Sequence, residues 1–221
     1  MSDPVWSDVD SFFEQALHAR EPLLDDVLAR SDAAGLPSIS VTSLQGRFLQ
    51  MLAASLGARS ILEVGTLGGF STIYLARALP SGGRLVTIEA EPRHAAVARE
   101  SFARAGLAGR IELLEGKGLD VLPRLVGARF DFTFIDADKP NTPAYFDWAV
   151  RLSRPGSLIV VDNVVRDGEL ADGASTDASV RAMRAVCERV GRDSGVMGTA
   201  LQTVGLKGYD GFLIARVVAG V

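Results

Sequence analysis

From residue 60 onward, short runs rich in Val, Ile and Leu alternate with helix-patterned stretches, and this alternation limits the fold more than any other feature. "SILEV" reads as a strand before "FSTIYLARAL", and "RLVTIE" as one before "RHAAVARESFARAG". "RIELLEG" precedes the short "LDVLPRL", and "FDFTFID" precedes "PAYFDWAVRLS". "SLIVVDN" leads through a polar loop to "DASVRAMRAVCERVG". Five strand–helix alternations call for right-handed crossovers, hence an α/β fold with a parallel sheet and helices on both faces. Beyond them, "ALQTVGL", the turn "KGYDG" and "FLIARVV" predict an antiparallel hairpin at one sheet edge, which brings the sheet to seven strands.

The preceding segment is helical. Val9, Phe12, Phe13, Ala16 and Leu17 recur at helical spacing within 7–35, and Pro22 suits the first turn of a second helix. "GLPSISV" breaks the pattern, and "TSLQGRFLQMLAASLG" starts a further helix after a Thr or Ser cap, with Gly57 as its stop. No linker, repeat or low-complexity tract interrupts the chain. Residues 1–221 therefore read as one domain, a helical extension over 1–57 followed by an α/β core over 58–221.

Composition narrows the classes of function. Hydrophobic residues make up 48% of the chain, yet no run approaches the ~20 apolar residues of a membrane span. The acidic start "MSDPVWSDVD" lacks the pattern of a secretory signal, so a cytoplasmic location is the expectation. The single cysteine, Cys187, excludes an internal disulfide and falls in a helical pattern as a partly buried thiol. A net charge of −4 argues against broad capture of nucleic acid and favours a small substrate.

The chemistry gathers at the strand ends, where ligands of open α/β sheets bind. "LEVGTLGGFS" leaves the first strand and enters a helix; Gly65, Gly68 and Gly69 permit a sharp turn and close approach to a ligand. Leu67 stands where the dinucleotide fingerprint has its second glycine. The second strand ends in Glu89, placed to accept the ribose hydroxyls of an adenosine. Glu63, beside the turn, would repel a pyrophosphate but suits a sulfonium, which favours S-adenosylmethionine over NAD.

Asp136 ends the fourth strand, and Asp162 and Asn163 end the fifth. If those strands are neighbours, three side-chain oxygens converge, a donor set for a hard divalent cation: Mg²⁺ first, then Mn²⁺ or Ca²⁺. His18 and His94 lie on helices away from this point, which speaks against zinc. An alternative stays open at this level, in which Asp136 touches only the cofactor and Asp162-Asn163 form a polar turn. Asp138, two residues from Asp136, reads as a supporting group. Lys139 is either solvated or, beside a dication that disfavours its charged form, a base for an acceptor hydroxyl.

In their order and spacing, "LEVGTLGGFST", "VTIEAEP", "FIDADK" and "VVDNV" resemble the cation-dependent O-methyltransferases, which include the catechol and caffeoyl-CoA O-methyltransferases and small bacterial relatives. The resemblance runs from about Pro37 to Val218. It implies a Rossmann-like, seven-stranded methyltransferase sheet. It implies a metal on Asp136, Asp162 and Asn163, and Lys139 as proton acceptor. S-adenosylmethionine would lie against Val41, Glu63, Gly65, Ser71, Glu89, Gly118 and Asp136. A homodimer is also implied. Two departures bear on the ligands: Thr142 stands where many members have a tyrosine, with Tyr145 a candidate substitute, and Lys117-Gly118-Leu119 is bulkier than the family norm.

The expected function is metal-dependent methyl transfer to one hydroxyl of a small catechol-like phenolic acceptor. Arg166 to Asp177 would supply a mobile wall of the acceptor pocket, and Trp148 either lines that pocket or belongs to the core. The competing readings are methylation of hydroxylated uridine in tRNA, a non-catalytic adenosine-ligand binder and an NAD-linked dehydrogenase.

Overall fold

The computed structural model describes residues 3–218; the outermost residues of the 1–221 domain reading lie outside them. Three helices come first: α1 (Pro4–Ala16), α2 (Pro22–Ala33) and α3 (Ser43–Ser55). Pro22 opens α2 as the sequence pattern requires, and α3 starts on a reciprocal cap. The Thr42 side chain accepts from Gln45 N, and the Gln45 side chain accepts from Thr42 N.

Then β1 (Ser60–Val64), α4 (Phe70–Ala78), β2 (Arg84–Glu89), α5 (Pro92–Arg104), β3 (Ile111–Glu115) and the one-turn α6 (Gly118–Val121) follow. β4 (Phe130–Ile135), α7 (Thr142–Arg151), β5 (Ser153–Asp162), α8 (Ala178–Arg192), β6 (Val196–Gly205) and β7 (Gly208–Val217) complete the chain. The sheet has seven strands in the order β3-β2-β1-β4-β5-β7-β6. The pairings from β3 to β5 are parallel, and β7 runs antiparallel to both β5 and β6. The crossovers therefore diverge from between β1 and β4, the place where an open α/β sheet presents its ligand crevice.

Side-chain alternation along the strands builds a core on each face. Ile61, Phe132 and Phe134 pack with Leu24, Leu49, Tyr74 and Phe102 of α2 to α5. Leu62, Ile135 and Val161 face the other way, onto Val121, Phe146 and Met183 of α6 to α8. Trp148 packs against this second core, with the Arg151 guanidinium over its ring. Cys187 is partly buried there, and burial pushes its thiol up.

The hairpin differs from the sequence reading in one respect. Its turn is the two-residue Leu206-Lys207, closed by the Gly205–Gly208 pair, while Tyr209, Asp210 and Gly211 belong to β7. Gly208 takes the left-handed φ of +87° that a tight hairpin demands, so the ladder runs on past the turn-type residues.

Candidate active site

The carboxyl ends of β1, β2, β4 and β5 open onto a cavity of about 840 Å³. Val41, Gly65, Ser71, Glu89, Gly118, Asp136, Lys139 and Asn163 all contribute to its wall. A second cavity, of about 500 Å³, adjoins it and is lined by Asp162. Ile39, Ser40, Val41, Asn163 and Arg166 line both.

Gly65 ties the two halves of the site together. Its φ is +99°, and a Cβ there would lie 2.0 Å from the carbonyl oxygen of Asp136. The backbone N–H of Asp136 donates to Val64 O at 2.9 Å. The turn after β1 and the end of β4 are thus in direct backbone contact, which only glycine permits. Glu89 closes the turn from the β2 side: one oxygen accepts from the N–H groups of Thr66 and Leu67, the other from Glu91 N.

Glu63 does not reach the cavity wall. It is fully buried behind Ser71 and accepts hydrogen bonds from the hydroxyls of Ser71, Thr72 and Thr87. Burial pushes its carboxyl up to about 7 despite those three donors, and the charge of Asp136 adds to the shift. Any influence of Glu63 on a ligand passes through Ser71, not through the direct exposure expected from sequence.

Register places Asp136 and Asp162 side by side, one residue beyond the Ile135–Val161 pair of β4 and β5. Lys139 Nζ donates to Asp136 Oδ1 at 2.7 Å. Asp162 is only 4% exposed and accepts from Asn163 N. Burial raises its carboxyl well above the usual range, and the Asp136 charge raises it further. Among the described residues it makes no ion pair, so a buried carboxylate stands beside a second one without a cation of its own. Asn163 is held at a left-handed φ of +58°. No cluster of three or more His, Cys, Asp or Glu occurs among the described residues. The donors here are two carboxylates and a carboxamide, an all-oxygen set that fits a hard divalent cation and not zinc.

Asp138 turns away from that centre: its carboxylate accepts from the Tyr145 hydroxyl and the Asn141 amide, both at 2.5 Å. Tyr145 lies in the cavity wall, its ring against Gly118, where a Cβ would meet it at 2.7 Å. Thr142 is buried away from the cavity. Sequence reasoning also missed His94, which lines the first cavity with Nδ1 3.4 Å from Glu89 Oε1; its i+2 position after Pro92 on α5 was the available signal. Of the loop from Arg166 to Asp177, only Arg166 lines either cavity. Asp167 to Asp177 line neither of the two cavities.

Comparison with known proteins bears on the family and the fold. The family model described as O-methyltransferase matches residues 15–216. The chain is 51% identical over 210 residues to a catechol O-methyltransferase of Mycobacterium tuberculosis, spanning 95% of each chain. An O-methyltransferase from Bacillus cereus, solved in complex with SAH, superposes with a TM-score of 0.95 at 50% identity, covering 96% of this chain and 98% of that one. The O-methyltransferase TomG from Streptomyces achromogenes, solved in complex with SAM, gives 0.95 at 44% identity over 99% and 100%.

Proposed function

The chain belongs to the O-methyltransferase family and is an S-adenosylmethionine-dependent enzyme; from that premise we propose that it methylates one hydroxyl of a small catechol-like acceptor with the help of a divalent cation. The observation that carries the reading is the buried Asp162 beside Asp136, without an ion pair among the described residues; Asp162 lines the second cavity, Asp136 the first and Asn163 both. These three residues would hold Mg²⁺, or Mn²⁺ or Ca²⁺. A bound dication supplies positive charge that lowers the pKa of a nearby acceptor hydroxyl.

The protein's own groups divide the remaining work. Glu89 presents a carboxylate for the ribose hydroxyls, and the turn from Gly65 to Gly69 lets the backbone approach the cofactor closely. Ser71, Val41 and Gly118 would complete the wall, with Glu63 orienting the Ser71 hydroxyl. Lys139, in the cavity wall with Nζ 2.7 Å from Asp136 Oδ1, would be the group that takes the hydroxyl proton. The cavity walls would hold the acceptor oxygen in line with the donated methyl, and that alignment contributes much of the rate.

No feature of the site favours uridine in tRNA, NAD or a purely binding role. We further read 1–221 as one domain, a homodimer, acting in the cytoplasm. No helix among the described residues is long and apolar enough to cross a membrane.

The test is transfer of labelled methyl from S-adenosylmethionine to a panel of catechols, with and without chelator. Activity should vanish on chelation and return with Mg²⁺, and Lys139→Ala should lose about 10²–10⁴-fold in kcat. Undiminished turnover in chelator, or in Lys139→Ala, would refute the mechanism.

A further inference from the structure

Four strands of the sheet are entered through the same three-residue pattern, two small residues and an arginine. Gly57-Ala58-Arg59 leads into β1, Gly82-Gly83-Arg84 into β2, Ala108-Gly109-Arg110 into β3 and Gly127-Ala128-Arg129 into β4. Arg154 stands second in β5. Because these five strands are adjacent and parallel, the arginines form one row in the order Arg110, Arg84, Arg59, Arg129, Arg154. Backbone bonds fix their level: Leu85 N donates to Arg110 O and Arg84 N to Arg59 O, both at 2.9 Å. At about 4.8 Å per strand the row spans roughly 19 Å. It lies at the amino ends of the strands, opposite both cavities.

Charge at this end is unbalanced. The connecting segments 56–60, 79–85, 105–112, 122–131 and 151–157 hold seven arginines, the five of the row with Arg124 and Arg151, against two acids, Asp131 and Glu112. That leaves five positive charges here, so the rest of a chain of net charge −4 carries nine negative ones. Among the described residues only Arg154 of the seven makes an ion pair, with Asp131 at 2.6 Å. Arg59, Arg110 and Arg129 donate to the carbonyls of Ser81, Leu79 and Ala128, which orients the guanidinium groups and leaves their charge in place. Part of that charge has a structural use, because α3, α4, α5 and α7 all end here and basic groups offset the negative ends of helices. At about half a charge each, four helix ends take up about two of the five charges, and about three remain.

The surface around the row is open. Six of the seven arginines are exposed and Arg110 is half-buried. A Cβ added at Gly57, Gly106, Gly109, Gly127 or Gly156 would meet nothing within 4 Å, so no element overhangs the connections between strands. Neither cavity reaches these segments. Val126, just before the pattern that enters β4, is 67% exposed and adds an apolar side chain. Devices for reading a nucleic acid are missing here. The one aromatic residue of these segments, Phe130, is buried, and helices reach this end by their C-termini, not by the N-termini that bind phosphate. Guanidinium groups in a row without a groove or a stacking platform fit a plane of negative charge.

We propose that this end of the sheet docks the protein on an anionic phospholipid surface, with the arginine row against the headgroups and Val126 at their level. Docked so, β1 to β4, each five or six residues long, hold the cavities roughly 17–20 Å from the headgroups, open to water. The strand-end acids Glu89, Glu115, Asp136 and Asp162 then lie beyond the ~10 Å over which charge acts at 0.1 M salt. A chain of net negative charge can thus bind a negative surface, because its positive charge is gathered at one end. Neither the acceptor nor the metal enters into this docking.

The test is flotation of the full chain with vesicles of phosphatidylcholine alone, or with about one third phosphatidylserine, at about 0.05 and 0.5 M salt. The protein should float with the anionic vesicles at low salt, stay free of the neutral ones and be released at high salt. Arg84→Gln and Arg129→Gln should each lower the partition coefficient about fivefold, the effect of one basic residue at such a surface, and the double variant about 25-fold. Arg84→Lys should keep most of the binding. Arg181→Gln removes the same charge from the start of α8, at the cavity end, and should change binding by no more than about twofold. Melting curves, and methyl transfer without vesicles, should match the parent in every variant, which separates lost docking from misfolding. No flotation with anionic vesicles at low salt, equal flotation with neutral ones, or an Arg181→Gln loss equal to that of Arg84→Gln overturns the inference. So does retention of an RNA duplex by the row at a salt concentration that releases the vesicles, which would assign this end to nucleic acid.

Discussion

Replacing Gly65 by alanine should damage both stability and catalysis, and the size of each effect follows from two distances. A residue with a side chain at a left-handed φ costs about 1–2 kcal/mol, and Gly65 sits at +99°. The added methyl would also lie 2.0 Å from Asp136 O, so either the turn or the end of β4 has to move by more than an ångström. Forced overpacking of this kind costs a further ~1–3 kcal/mol. Gly57 provides the control, with a φ of +67° and no atom within 4 Å of its notional Cβ. The difference between Gly65→Ala and Gly57→Ala therefore isolates the clash. At about 2–4 °C per kcal/mol for a chain of this size, Gly65→Ala should melt roughly 2–12 °C below Gly57→Ala. Because Asp136 and the cofactor turn are the parts displaced, Gly65→Ala should also lose affinity for SAH by calorimetry and at least about 10²-fold in methyl transfer. Gly57→Ala should keep both. Coincident melting curves for the two variants, with Gly65→Ala retaining SAH affinity and rate to within about threefold, would show that the backbone contact carries no function.

Glu63→Gln should remove a pH dependence of stability. Its carboxyl is raised from 4.5 to about 7, so the folded state holds the proton more tightly. Stability is then lost as pH rises through that window, by about 3 kcal/mol for this group. Denaturant titrations at pH 5 and 8 should show the parent losing that much more than the variant; equal losses would mean that Glu63 is not the group responsible. The homodimer reading predicts that α1, which buries none of its residues and exposes Val5, Val9, Phe12 and Phe13, lies at the interface. Phe12→Glu should shift sedimentation from two chains toward one, and a parent that already sediments as one chain would end that reading.

The fold was legible because its central strands are buried on both faces. β1 and β2 read as short runs rich in Val, Ile and Leu, and their bounds agree with the sequence assignment to the residue. β5 begins earlier than expected, at Ser153, because "RPG" resembles a turn while its first residues already pair with β4. The hairpin erred for a related reason. Gly208, Asp210 and Gly211 are all turn-type residues, and local chemistry could not say that the ladder to β6 runs up to Gly205 and resumes at Gly208.

The site divides along the same line. Gly65, Glu89, Asp136, Asp162 and Asn163 end strands or follow them directly, so strand order alone gathers them, and spacing could point to them before any coordinates. Glu63 was recognised as near the turn but assigned the wrong neighbour. The period of two in β1 aims its side chain between α4 and β2, toward Ser71, Thr72 and Thr87. His94, Tyr145, Arg166 and Lys207 reach the cavities from two helices, a strained corner and a hairpin tip. Their convergence depends on helix rotation, on φ values at single residues and on where a turn closes, none of which has a sequence period. Strand ends gather the proposed reaction centre, whereas the other cavity-lining groups arrive from elements whose placement only the packed structure determines. Acceptor specificity should therefore change through substitutions at Arg166, Lys207 and Tyr145 while the Asp136, Lys139, Asp162 and Asn163 set stays fixed.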